Sequence, residues 1–596
     1  MSDKALTLPA LFRKTVARLG DRVARRRKRG GQWIGQTWNE FARSVDEIAR
    51  GLVAAGVAPK QRAAILSSTR AEWVECDLGI LSAGAVTVPI YPSSLPKDIE
   101  YILNNAEVVL VFCENEDQAK KVAAIRASCP TLKRVVVMEG ASSPSVATLD
   151  ELKKEGWQVA SDEVTRRVAA GDPDEVATIV YTSGTTGPPK GVVQTHANHY
   201  WMVHNIAGYG DMTEHDEDLI FLPLAHSFAR CEEYAQIYIG FTTSYAESLE
   251  KIVDNCGEVK PTVLFSVPRI YEKFYEKVMA GLATAAPRKR RIAEWAIGIG
   301  RRMSQKKQAG EAPGFLLELK WKVADRLVLH KIRERMGGRI RFCVTGAAPI
   351  ARNILEFFHG AGIQILEGYG LTETTPALTL NRLAAYRFGS VGKAIPGCEL
   401  KIAEDGEILG RGPNIAKGYY KREEETRAVF LPDGWFATGD IGVIDADGFL
   451  KITDRKKDLI KTSGGKYVAP QEVEHQLKSD PLIAQAMVHG DRRKYCSAIL
   501  VLNRETVEAW AKREGIATDG YESLVKHAKL RELVQALLDE KNKKLASYEQ
   551  VKKFIIAPKE WTPESGELTP TLKVKRKVVT AKFEKELDAL YEEKYA

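Results

Sequence analysis

No two cysteines of this chain stand in C-x-x-C spacing, and none clusters with histidines at zinc-ligand intervals. The eight thiols are scattered at 76, 113, 129, 231, 256, 343, 398 and 496. That pattern excludes zinc ribbons, zinc fingers and dithiol redox motifs, and free thiols in a reducing cytosol are the simplest expectation. Internal repeats and low-complexity tracts are also missing, which excludes solenoids and tail-like segments. The stretch from Met1 to Arg13 carries charges and Pro9 but no apolar core, so it does not read as a secretory signal. The longest uncharged stretch, Leu78–Pro96, is long enough to raise the question of a membrane span. Gly79, Gly84, Pro89, Pro92 and Pro96 argue against one. They predict a short buried helix turning into a buried strand, Val86–Ile90.

What the chain does have is length and an ordinary globular balance. It has 596 residues, 44% hydrophobic and 28% charged. One compact core rarely grows past ~250–300 residues, so a large composite domain and at least one smaller one are expected. The net charge of +9 is concentrated. Between Arg288 and Lys307 there are eight basic residues and a single acid, Glu294. Such a patch favours an anionic surface. A sequence-independent nucleic-acid footprint would look similar, but nucleic acid is not an expected partner.

Short β-rich runs alternate with helical patterns: Val108–Cys113, Arg134–Met138, Thr178–Thr182, Val263–Val267, Ile340–Thr345 and Ile363–Glu367. This alternation predicts largely parallel sheets covered by helices. Arg25–Arg29, followed by Gly30-Gly31, reads as an exposed hairpin. After Gly397 the segments shorten and turns come often, as at Glu404-Asp405-Gly406 and Asp445-Ala446-Asp447-Gly448, which predicts a small antiparallel β unit. A charged run, 454–458, then marks a boundary.

The strongest local signal is Tyr181-Thr-Ser-Gly-Thr-Thr-Gly-Pro-Pro-Lys-Gly191. It follows an apolar run, 177–180, and so leaves the end of a buried strand. Its glycines let backbone N–H groups approach a phosphate closely. Thr182, Ser183, Thr185 and Thr186 add hydroxyl donors, and Lys190 adds a positive charge. It is not a Walker A loop, because Lys190 sits between Pro189 and Gly191 instead of before Ser or Thr. His196 and His199 carry no motif and read as structural.

This loop resembles the signature of the adenylate-forming superfamily, which includes acyl-CoA synthetases, luciferases and peptide-synthetase adenylation domains. Further segments resembling that family follow in order, over nearly the whole chain. The resemblance implies that Thr182, Ser183, Gly184, Thr185, Thr186, Gly187 and Lys190 bind the phosphates of ATP. His226, in Leu222-Pro-Leu-Ala-His226, would border the acyl pocket. Gly346, Ala347 and Ala348 would form the turn contacting adenine. Glu367, Gly368, Tyr369, Gly370, Leu371 and Thr372 would continue the nucleotide site, with Tyr369 stacked on adenine. Glu373, assisted by Ser183, would hold Mg2+. Asp440 would bind ribose, with Ile452 and Arg455 beside it. Lys457 would be the pivot of a hinge at 454–459. Gly464 and Gly465 would line the coenzyme A tunnel. Lys573, in Leu568-Thr-Pro-Thr-Leu-Lys573, would enter the active site only for adenylation. Lys573, Lys190, Thr186, His226 and Glu373 are thus the expected catalytic groups.

The implied fold is α/β. A large N-terminal domain, 1–453, would have helix-covered mixed sheets plus a small β unit, and a smaller mobile α+β C-terminal domain would span 460–596. The implied activity is ATP-dependent conversion of a fatty acid to acyl-AMP with release of pyrophosphate, then transfer to coenzyme A. Phe265–Tyr271, Asp454–Ile460 and a helical insertion at 285–335 resemble the long-chain enzymes, although no tryptophan is assigned as a tunnel gate. A fatty acyl-AMP ligase loading a carrier protein, or a synthetase for a medium-chain or aryl acid, are the alternatives. Within the insertion Ile292, Trp295, Ile299 and Met303 fall at helical spacing, as do Leu316, Leu319, Val323 and Leu327. The expectation is an amphipathic hairpin packed on the body. The sharper alternative sets its basic face against anionic lipid, giving a cytoplasmic enzyme with peripheral membrane contact.

Overall fold

A computed structural model describes residues 4–182, 188–464, 466–517, 520–562, 565–569 and 573–592. The strands Val86–Ile90 and Val108–Cys113 are apolar and almost wholly buried. Strands without a polar face need cover on both sides, which is the habit of parallel sheets. They sit inside an eight-stranded sheet with Arg62–Leu66 between them, then Arg134–Val137 and Ala147–Thr148. On the other flank Val86–Ile90 pairs in parallel with Val176–Thr182, which turns back as an antiparallel hairpin with Lys190–Thr195. The strand Gly418–Tyr419 completes that edge. Helix Ala71–Ser82 lies against this sheet. Helix Trp38–Ala54 packs on that helix. Its start is fixed by a capping box between Thr37 and Glu40, and it buries Trp38, Phe41, Val45, Ile48 and Leu52 at helical intervals.

A five-stranded sheet sets Val263–Ser266, Phe342–Thr345 and Gln364–Tyr369 in parallel register. The strands begin or end one or two residues away from the expected bounds Val263–Val267, Ile340–Thr345 and Ile363–Glu367. Beyond Gly397, the strands Glu399–Ile402, Glu407–Arg411, Phe436–Ile444 and Leu450–Arg455 form an antiparallel sheet. From Ile460 onward the chain closes a separate apolar core around the strands Ile483–His489, Cys496–Leu502 and Val551–Ile556. Among the described residues no helix is long and apolar enough to cross a membrane.

Two expectations need correction. The Arg25–Arg29 run does form a hairpin, Val23–Arg29 with Gln32–Thr37, whose turn and outer strand are open to solvent as expected, but the basic strand itself is not a free one. It lies inside a four-stranded sheet beside Thr242–Tyr245. Arg25 is buried and bonded to Glu75 and to the carbonyl of Ala71. Arg27 and Arg29 both reach Glu72, and Lys28 reaches Glu247 and Glu258. Partners dozens of residues away turn the charge run into a row of ion pairs, internal at Arg25 and part-exposed further along.

The second correction concerns the insertion. Helices Pro287–Gln308 and Phe315–Ala324 are present, but the stripe Leu316, Leu319, Val323 and Leu327 faces solvent, as do Ile292 and Trp295. Ile299 and Met303 are buried as expected. The second helix turns a different stripe inward: Leu317, Trp321, Ala324 and Val328. The Trp321 indole N–H donates to the Gly360 carbonyl at 2.9 Å and fixes that choice.

Three acids are buried close together: Asp218 on the strand Glu217–Ile220, and Glu232 and Glu233 on the helix Ser227–Ile239. Desolvation raises the pKa of each, the charge of Glu233 adds to this at Asp218, and the charges of Asp218 and Glu233 add to it at Glu232. The fold therefore holds protons that an unfolded chain releases. Stability from this cluster is present near the ordinary carboxylate range and is lost as the pH rises toward the raised values. Asp218→Asn is expected to stabilise the protein by about 2 kcal/mol at about pH 8 and by little near pH 5. Urea unfolding of both proteins at the two pH values checks this. An advantage that does not grow with pH would mean that the cluster is not protonated in the fold.

Candidate active site

Strand pairing brings the hydroxyl- and glycine-rich loop to one edge of the main sheet. Thr182 ends its strand directly opposite Lys190, the first residue of the returning strand. The loop residues Ser183, Gly184, Thr185, Thr186 and Gly187 lie outside the described residues. Lys190 pairs with Glu425, and its ammonium stands 4.8 Å from the ring centre of Tyr419. The Tyr419 hydroxyl donates to Glu373 Oε1 at 2.7 Å. A lysine, a phenol and a carboxylate are thereby joined in one chain of contacts. Tyr419 and Glu425 carried no sequence signal. They arrive because Gly418–Tyr419 pairs with Lys190–Thr195, more than two hundred residues earlier.

Glu373 lies in a single tight turn, Thr372–Thr374, and is only 9% exposed. Its backbone is pinned on both sides. Gln194 donates to the Thr372 carbonyl at 2.6 Å, and Asn414 donates to that of Thr374 at 2.8 Å. Among the described residues no group of three His, Cys, Asp or Glu side chains could hold a metal. Magnesium keeps several of its waters and takes few protein ligands, so one positioned carboxylate fits it.

A second wall follows from the parallel strands. Thr345 stands beside Glu367 in register, and the turn Gly346-Ala347-Ala348 leaves the end of its strand. Ala347 adopts φ +66°, the left-handed region that L-residues seldom occupy. Burial pushes the Glu367 carboxyl up to about 8, so it is protonated at neutral pH. A Cβ on Gly370 would lie 2.1 Å from the Pro376 carbonyl oxygen, so no other residue fits there. Gly368 is tight against Leu380, whereas Gly346 has only ordinary contacts. Tyr369, with Leu371 and Ile452 beside it, belongs to a small apolar cluster on the antiparallel sheet. The Tyr369 hydroxyl donates to Asp440 Oδ2 at 2.7 Å, and Arg455 pairs with Asp440 Oδ1 at 2.9 Å. Asp440 is buried, and desolvation raises its pKa against the pull of Arg455 and Tyr369.

His226 is the N-cap of the helix Ser227–Ile239, its Nδ1 accepting from the Phe228 N–H at 3.1 Å. Burial, and then the charge of Lys573, push its pKa down to about 4. The imidazole is neutral at pH 7 with Nδ1 committed as an acceptor. Nε2 therefore carries the proton, and the ring can donate but not take one. The helix itself is anchored by the buried Arg230, which donates to Asp77 at 2.9 and 3.1 Å. Arg230 also donates to Thr178 Oγ1 at 2.6 Å, in the strand that feeds the loop.

Lys573 comes from the far end of the chain and stands where His226, Asp440 and Glu373 all feel its charge. Its side chain is exposed to solvent, yet enough protein lies around it that desolvation is the largest influence on its pKa. Desolvation and then Arg455 lower its pKa, while Asp440 and Glu373 oppose them. The glycine turn is not gathered in. Gly464 is exposed between Ile460–Lys461 and Tyr467–Val468, and Gly465 lies outside the described residues. Lys457 is exposed in the turn after Leu450–Arg455. Its neighbour Lys456 fastens that turn by ion pairs of 2.6 Å to both Asp405 and Glu407. On the far side Arg576 pairs with Glu474 at 2.7 Å and approaches Asp458 at 3.7 Å.

The AMP-binding enzyme family matches residues 12–420, and the AMP-binding enzyme C-terminal domain matches residues 457–595. The chain is 39% identical over 577 residues to the long-chain-fatty-acid–CoA ligase FadD15 of Mycobacterium tuberculosis, spanning 96% of this chain and 94% of that one. It is 32% identical to the peroxisomal long chain acyl-CoA synthetase 7 of Arabidopsis thaliana, over 94% of this chain and 82% of the relative. Among solved structures, the adenylation domain of a carboxylate reductase from Mycobacterium chelonae superposes with a TM-score of 0.78 at 22% identity, over 99% of this chain and 92% of that one. The o-succinylbenzoate CoA synthetase of Bacillus subtilis, in complex with ATP and magnesium, gives 0.67 at 23% identity over 95% and 98%. At those identities the likeness is one of fold.

Proposed function

The chain belongs to the AMP-binding enzyme family, and on that footing we propose the residue roles of a long-chain fatty acid–CoA ligase. The reaction activates the fatty acid with ATP and passes the acyl group to coenzyme A. The observation that carries this reading is its likeness to long-chain ligases along nearly the whole chain. The linkage of Lys190 to Glu373 through Tyr419, with Lys573 within reach of the charges of Glu373 and Asp440, supports the roles assigned here.

A carboxylate is a poor acyl donor because oxide would have to leave. When a carboxylate oxygen attacks the α-phosphorus of ATP, a P–O bond forms, diphosphate departs, and the acyl group gains AMP as its leaving group. The obstacle is an anion approaching a polyanion, so the protein's work is positioning and charge compensation. Lys190 is held at the loop by Glu425 and Tyr419 and exchanges Glu425 for a phosphate oxygen. Lys573 supplies the second cation. Glu373, with Ser183, would hold Mg2+, which when bound would supply compensation for phosphate charge. Asp440 accepts from the ribose hydroxyls, with Arg455 and Tyr369 fixing its carboxylate. Neutral His226 lines the acyl pocket and offers an Nε2 proton as a hydrogen bond. The coenzyme A thiol then attacks the acyl carbonyl, the C–O bond to AMP breaks, and the thiol proton is released. No enzyme thiol is suited to hold the acyl group. Cys231, one turn from His226, is buried with its pKa pushed up to about 12.

Lys457 would act as the hinge pivot between the unit ending at 453 and that starting at 460. Gly464 and Gly465 would line the thiol tunnel after the smaller unit turns. Peripheral contact with an anionic membrane, where long-chain acids partition, completes the reading. Purified enzyme should release diphosphate and form coenzyme A thioesters across a panel of acids, with long chains preferred. Adenylate that accumulates without thioester would favour the carrier-loading alternative, and a preference for short or aryl acids would displace the long-chain assignment.

A further inference from the structure

The helical insertion exposes what a helix of a soluble protein normally hides. Phe315, Leu316, Leu319, Val323 and Leu327 are 77%, 70%, 50%, 46% and 47% exposed. At 100° per residue Phe315, Leu316, Leu319 and Val323 share one face, about 100° wide, and Leu327 follows in the π-helical turn Asp325–Leu329. The body-facing stripe through Leu317, Trp321 and Ala324 lies opposite. Ile292 and Trp295 on the neighbouring helix are also exposed. Contiguous apolar surface of this kind marks an interaction site.

The charge around it identifies the partner. Residues 287–335 hold fourteen Lys and Arg against five Asp and Glu. That surplus equals the whole chain's net charge of +9, so the remainder is balanced. Lys320, Lys322 and Arg326 are exposed along the rim of the apolar stripe, and Arg288, Lys289 and Arg291 are exposed at the start of the first helix. The few local acids are largely engaged already: Asp325 with Arg333, Glu311 with Lys306 and Glu294 with Arg290. An aliphatic stripe bordered by unpaired cations suits an interface of hydrocarbon under anionic headgroups. A nucleic-acid surface would need the cations but has no use for five exposed hydrophobic side chains.

We propose that the exposed face of Phe315–Leu329, with its basic rim, docks this enzyme on an anionic lipid bilayer, the stripe lying in the interface plane. The inference rests on the peripheral-contact reading above and assigns it a surface. The face that meets the lipid carries no adenylating residue, so docking and chemistry are separable.

The test is cosedimentation of the full chain with phosphatidylglycerol-containing vesicles and with pure phosphatidylcholine vesicles, at low and high salt. Wild type should bind the anionic vesicles and lose most binding at high salt. Leu316→Ser/Leu319→Ser should weaken binding by about tenfold or more. Arg288→Glu/Lys289→Glu/Arg291→Glu should weaken it by roughly a hundredfold. Both variants should keep wild-type turnover on detergent-dispersed fatty acid, which certifies that they are folded. Wild type that ignores anionic vesicles would remove both the membrane reading and this inference. Wild type that binds while both variants bind equally well would overturn this inference alone. A stripe variant that turns a dimer into a monomer yet binds vesicles normally would reassign the face to a second copy of the chain and overturn it too.

Discussion

Lys573→Ala is expected to slow acyl-adenylate formation by about 10²–10³-fold, the usual effect of removing one positioned charge-stabilising donor. Thioester formation from supplied acyl-AMP should stay within about twofold of wild type. The asymmetry follows from where charge builds. Adenylation brings a carboxylate up to a triphosphate, and the Lys573 ammonium stands near enough to Asp440 and Glu373 to feel both charges. Desolvation and Arg455 lower its pKa; an arriving triphosphate reverses that balance and favours the protonated form. In the second half-reaction only AMP departs, and an uncharged carbonyl is attacked. Lys573 is exposed, and without it Asp440 keeps Arg455 and Glu373 keeps Tyr419, so the fold survives its truncation. ATP–pyrophosphate exchange measures the first half-reaction and thioester yield from synthetic acyl-AMP the second. Equal losses in both would mean that the lysine holds the cleft together instead of serving one step.

The parts of the site that announce themselves in sequence are those whose chemistry is local. A glycine- and hydroxyl-rich loop with a lysine at its end needs only its own residues to suggest phosphate. Strands such as Val108–Cys113 read directly, because burial on both faces leaves an unbroken apolar run. What escaped depends on distant pairing. Arg25 looks solvated until Glu75 is placed beneath it. Tyr419 looks like any loop aromatic until its strand joins the loop's own return strand. In the insertion, periodicity marked a stripe correctly but could not choose the face. Two apolar stripes run along one helix, and the Trp321 bond to Gly360 selects the inward one. The stripe left outside is then the one that needs a partner.

The largest loss of stability is expected from Asp77→Ala, about 3–5 kcal/mol. Asp77 and Arg230 are both about 1% exposed, and nothing replaces water around the guanidinium except the groups that bond it. Asp77 takes both contacts from Arg230 and a third from the Tyr234 hydroxyl at 2.7 Å. Alanine would leave Thr178 and Tyr234 as the only partners of a buried cation. The cost then comes from the stranded charge more than from the lost attraction, because a buried pair is itself only weakly favourable. That reasoning predicts a rescue: Asp77→Leu/Arg230→Met removes both charges and should recover most of the stability. It should not recover activity to the same degree. Arg230 ties the helix capped by His226 to the strand that leads into the glycine-rich loop, and a methionine cannot hold that register. Denaturant unfolding of the three proteins, with diphosphate release measured alongside, separates the two effects. A single variant that loses less than about 1 kcal/mol, as a surface pair would, or a double variant no more stable than the single one, would show that this ion pair does not anchor the helix.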